Sequence, residues 1–78
     1  MKHKYLEDTY MLANSGVGTV LLLKVEDNVG YIWGFTSKKW VVYPDACGYS
    51  LGFEGCIERV TKEKMEEVIE AYTKALNL

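Results

Sequence analysis

The sequence predicts a small α+β domain, an antiparallel β-meander followed by a C-terminal amphipathic helix packed on one face. Three β-rich runs stand close together with only two or three residues between them. A single clean helical stripe occupies the last part of the chain. The length of 78 residues holds one domain, residues 1–78, with no linker, repeat or low-complexity tract.

Residues 1–15 admit two readings. Leu6, Tyr10 and Met11 recur at helical spacing, with Gly16 placed to end a short N-terminal helix. An extended segment over residues 8–13 competes closely. Residues 18–26, GTVLLLKVE, read as the first strand of the meander. Asp27 and Asn28 follow, and both tolerate positive φ, as a two-residue hairpin turn requires. Residues 29–36, VGYIWGFT, read as the next strand, with Ser37-Lys38 as a tight turn. Residues 39–43, KWVVY, form a third, which Pro44 ends because proline donates no ladder hydrogen bond. Residues 44–55 carry Pro44, Gly48, Gly52 and Gly55 and read as a loop, with a short strand over residues 49–53 as the alternative. Residues 56–60, CIERV, alternate as a fourth strand.

The final helix is predicted over residues 62–76. Thr61 suits the N-cap and Glu63 the first turn. Met65, Val68, Ile69, Tyr72 and Leu76 fall on one stripe, and Glu70 and Lys74 stand in the favourable i, i+4 order.

Both faces of such a sheet carry large apolar groups, because side chains alternate along a strand. Tyr31, Trp33 and Phe35 share one face, with Ile32 opposite. Trp40 and Val42 oppose Val41 and Tyr43. One helix covers one face, so the other must lie under residues 1–15, against a second copy, or against a foreign partner. The chain is rich in rings to do so: two Trp, six Tyr and two Phe. Tyr and Trp are enriched at binding hot spots. The partner-binding residues expected on this ground are Tyr31, Trp33 and Phe35 on the sheet, and Tyr49, Leu51 and Phe53 in the glycine-rich loop 48–55.

Net charge is −2 and the pI is near 5.3, with nine scattered basic residues. Nucleic-acid binding calls for a basic patch, so none is expected. Lys38-Lys39-Trp40 joins base to ring, yet only Lys24 is available to extend a groove. The longest apolar run, Val20 to Leu23, falls far short of the ~20 residues that span a bilayer. No membrane role is expected, nor a signal peptide, and the expected location is cytoplasmic. Cys47 and Cys56 then read as reduced, packed thiols, with a disulfide as the lesser reading.

Catalysis needs a positioned nucleophile, acid or base. The only histidine, His3, sits near the start, and four zinc ligands are not assembled. Ser15-Gly16-Val17-Gly18 lacks the third glycine and the following helix of a dinucleotide turn. Glu54 and Glu58 are the carboxylates on which an enzyme reading would rest. The leading expectation is a non-enzymatic interaction module without cofactor or metal, a small regulatory or inhibitor protein that binds a protein target and forms a homodimer through the aromatic face. The alternative is a small-ligand binder with a pocket between sheet and loop 48–55, or between subunits, lined by Tyr31, Trp33, Tyr43 and Tyr49. In general look, with Val-Thr-Lys-Glu-Lys-Met opening the helix, the chain is similar to many small proteins of bacteria and their phages, a likeness of style that carries over no functional residue.

Overall fold

The computed structural model describes residues 6–14, 20–52 and 55–77. In chain order the elements are β1 (Thr9–Asn14), β2 (Val20–Glu26), β3 (Val29–Gly34), β4 (Lys39–Val42), α1 (Asp45–Ser50), β5 (Ile57–Val60) and α2 (Lys62–Ala75). The strands form one antiparallel sheet of order β4-β3-β2-β1-β5. The meander is thus four strands long, and the fifth returns to the far edge beside β1. No described helix is long and apolar enough to cross a membrane.

The N-terminal segment is a strand and not the short helix. Its residues alternate across the sheet, with Met11 and Ala13 buried on one side and Tyr10 and Leu12 on the other. Pairing on both edges, with β2 and with β5, outweighs the weak helical spacing. The turn between β2 and β3 is the predicted one. Asp27 and Asn28 both adopt positive φ, 51° and 66°. That turn is also tied to the chain start, since Asn28 Oδ1 accepts from the Leu6 amide at 2.9 Å and Asp8 Oδ1 from the Asp27 amide at 3.1 Å.

The next turn differs from expectation. β3 stops at Gly34, and residues 35–38 make a longer turn closed by the Lys38 amide donating to the Gly34 carbonyl at 2.7 Å. Lys38 takes a left-handed φ of 57°. Phe35 lies just past the strand, its ring against Tyr72 of α2 with centroids 6.0 Å apart.

The register sorts the side chains into two faces. Met11, Ala13, Leu23, Val25 and Ile32 lie on face A; Tyr10, Leu12, Leu22, Lys24, Tyr31, Trp33, Trp40 and Val42 lie on face B. Face A is covered by α1, in the stretch the sequence presents as a loop. Six residues with a glycine among them leave no helical stripe long enough to read. Ala46 and Tyr49 are buried with Met11, Ala13, Leu23 and Val25 as the main core.

Close approach makes this cover possible. A Cβ on Gly30 would stand 2.6 Å from the Tyr43 carbonyl oxygen and 2.9 Å from Ala46 Cβ. Gly52, at φ 86°, ends α1 in the left-handed turn that glycine favours. Arg59 of β5 then donates to the Ser50 carbonyl at 2.8 Å, so the far edge strand holds the end of the helix.

α2 lies across face B, chiefly over β1. Thr61 accepts from the Lys64 amide at 3.1 Å, the predicted cap, and Glu70 and Lys74 pair at 3.4 Å. Only Met65 of its apolar stripe is fully buried.

Two substitutions separate close approach from mere backbone freedom. Gly30→Ala should destabilise by about 1–3 kcal/mol in urea unfolding, because backbone must move to admit the methyl. Lys38→Gly should leave stability unchanged or raise it by roughly a few tenths of a kcal/mol, since it relieves a left-handed lysine at the expense of unfolded-state entropy. A neutral Gly30→Ala would show that α1 does not sit so close to β3.

Candidate functional site

Face B carries the aromatic row expected from the sequence, and its rings are largely engaged with one another. Trp33 and Trp40, opposite each other on β3 and β4, meet edge to face with centroids 5.4 Å apart. Tyr10 tilts onto Trp40 at 6.0 Å. Pairs of this geometry contribute about 0.5–1.5 kcal/mol beyond their area.

A cation sits inside this cluster. Lys24 Nζ lies 5.0 Å from the ring centroids of both Tyr31 and Trp40, and pairs with Glu26 Oε2 at 3.0 Å. Its side chain is only 14 % exposed. The four-carbon stem fills space between the rings while the ammonium meets two π faces and one carboxylate. Alternation alone puts Lys24 and Glu26 on the same face, so the pair follows from the strand. The ring cage around them comes from β3 and β4 and is invisible in the local sequence.

Beyond this cluster α2 no longer closes on the sheet. Tyr72 is 37 % exposed and Leu76 53 %. Beneath them is an apolar hollow of about 420 Å³ lined by Val20, Leu22, Trp33, Phe35, Tyr72 and Leu76. The buried Nε1 of Trp33 finds no acceptor among the described residues. A second hollow, about 390 Å³, opens on the other side of Tyr72 against Leu12, Asn14, Ile57 and Glu58. Tyr72 therefore stands between two apolar depressions at the end of the sheet where β1 stops and β2 begins.

The residues singled out from the sequence are distributed as follows. Tyr31, Trp33 and Phe35 share face B, half-buried. Tyr49 is buried under face A, and Leu51 is exposed just beyond α1. Phe53 falls outside the described residues, as do Glu54, His3 and Ser15 to Gly18. Within one chain, Tyr31, Trp33, Tyr43 and Tyr49 do not line a common pocket, because the first two lie on face B while Tyr43 and Tyr49 pack with the core of face A. Both cysteines are free: Cys47 donates to the Asn28 carbonyl at 3.9 Å, and Cys56 is exposed. Glu58 and Asp45 are exposed carboxylates. Among the described residues no group of three His, Cys, Asp or Glu is placed to hold a metal ion. Tyr72 and Leu76 belong to the helix's apolar stripe, and their partial exposure has no local signal in the sequence.

No protein-family model, curated protein or solved structure matches this chain.

A double-mutant cycle measures what the caged cation contributes. Lys24→Met keeps the stem and removes the charge, and Trp40→Leu removes one ring. Their coupling in urea unfolding is expected at about 1 kcal/mol. A coupling below roughly 0.3 kcal/mol, within the scatter of independent sites, would leave Lys24 with stem packing alone.

Proposed function

We propose that this chain is a non-enzymatic interaction module, a small cytoplasmic regulator or inhibitor that binds a protein partner and self-associates. The observation that carries the reading is the incomplete cover of face B. The helix that shields it leaves Tyr72 and Leu76 partly exposed over an apolar hollow. Exposed apolar surface at a concave site is the usual substrate of protein recognition, and a tyrosine at its centre suits a hot spot. The occupant that fits is an apolar side chain or short amphipathic segment of a partner. It would enter beside Tyr72 and exclude water from Trp33 and Phe35.

One observation favours a second reading, a small ligand in the same hollow. The hollow is concave and mostly apolar, with Trp33 in its lining. A small, mostly apolar ligand would fill such a hollow.

The test is selection of displayed peptides on the immobilised protein, followed by affinity measurement on Tyr72→Ser and Leu76→Ser. Both positions are partly exposed, so the fold should persist by circular dichroism. Affinity should fall by ~10-fold or more in at least one variant, as for a hot-spot residue. Binders indifferent to both substitutions would remove this surface from consideration. Saturable 1:1 binding of a small apolar fluorophore, with a shift in tryptophan emission and no peptide hits, would favour the ligand reading.

A further inference from the structure

The outer edge of β4 is the second surface of note, and it lies away from the hollow. In an antiparallel ladder, residues alternate between pairs that exchange hydrogen bonds and pairs that turn their amide and carbonyl groups outward. The phase is set here by the Tyr43 amide, which donates to the Gly30 carbonyl at 2.8 Å. Counting along the register, Ile32 with Val41 and Gly34 with Lys39 are bonded pairs. Trp40 and Val42 therefore direct their N–H and C=O groups away from β3. No described strand lies beyond them.

The side chains around this edge are apolar and outside. Val41 is 42 % exposed on face A and Val42 61 % on face B. An edge of this kind is a template for another strand unless it is blocked. The blocks stand only at the ends: Lys38 before it and Lys39 at its first position, Pro44 after it. The opposite edge, β5, presents exposed Glu58 and Arg59 in its middle instead.

We infer that β4 pairs with β4 of a second copy, antiparallel, joining two sheets into one. This deepens the self-association half of the reading above by naming its surface, and it rests on that half alone. One register satisfies every outward group. Trp40 faces Val42 of the second copy, Val42 faces its Trp40, and the two Val41 residues meet on the two-fold axis. Each of the two bonded pairs exchanges both of its N–H···O bonds. The same register brings Lys38 of one copy opposite Pro44 of the other, beside its Asp45, so the charges at the strand ends are complementary. Proline stops the ladder there, and the two-fold uses up both β4 edges. The assembly closes as a dimer instead of growing. The contact is short, so association is weak and concentration-dependent.

The test combines sedimentation equilibrium of the full chain from ~10 μM to ~1 mM with amide exchange on the same samples. The expected result is a monomer–dimer equilibrium. Val41→Lys, which sets two ammonium groups face to face, and Val42→Pro, which removes an outward donor only, should each weaken it by ~10-fold or more with circular dichroism unchanged. The amides of Trp40 and Val42 should gain protection as concentration rises, while that of Val41 stays protected throughout. A dimer that persists in both variants would overturn edge pairing and leave self-association standing by another surface. A monomer at every concentration would overturn edge pairing and self-association together, leaving partner binding at Tyr72 untouched.

Discussion

The missing side chain at Gly30 is the constraint on which the rest of the fold depends. A sheet apolar on both faces needs two covers. The cover for face A comes this close because β3 presents bare backbone at Gly30. Ala46 would lie 2.9 Å from any Cβ placed there, with the Tyr43 carbonyl closer still. Because α1 settles at that point, Met11, Leu23 and Val25 are sealed beneath it. The chain also leaves β4 across face A toward the opposite edge. There β5 finds β1, and Arg59 reaches back to hold the end of α1. α2 follows directly and emerges on the other face. One glycine thus links the cover of face A, the strand order, and the side on which the long helix lies.

Face B is solved differently. Its cover is a regular helix, capped as its sequence asks, yet it spans only part of the sheet. The remaining rings bury one another and a lysine stem. Burying a charge is costly unless it is paired. Lys24 meets that condition with Glu26 and two ring faces, which makes a nominally polar strand position part of an apolar layer. Where the rings end, the cover is incomplete, and the hollows beside Tyr72 are the consequence. A molecule with so small a core retains apolar surface at the margins, because the area to be covered exceeds what one helix shields.

The two edges of the sheet are guarded unequally. β5 carries two exposed charges, Glu58 and Arg59, in its middle. β4 is guarded only at its ends, so a short apolar window remains between the lysines and the proline. Charge along an edge discourages any pairing; charge and proline at its ends limit the length and register of pairing without forbidding it. The asymmetry gives the molecule two distinct apolar surfaces, a concave one at α2 and a linear one at β4, facing different directions.

The elements that depend on local chemistry were legible in the sequence. These are the β2–β3 turn at Asp27-Asn28, the Thr61 cap, the stripe from Met65 to Leu76, and the alternation that sorts Tyr31 and Trp33 from Ile32. Each is decided by neighbours within a few residues, through positive φ, an orphan amide, or strand and helix periods. Tertiary structure alone decided the rest. Residues 9–14 became a strand because β2, next in the chain, and β5, distant in sequence, both offered hydrogen bonds. Residues 45–50 became a helix because Gly30 made room for it. Phe35 falls past the end of β3 and meets the ring of Tyr72. The burial of Tyr49 and the partial exposure of Tyr72 and Leu76 belong to the same class. Both depend on which cover reaches which face, a matter of shape between distant segments that no local pattern records.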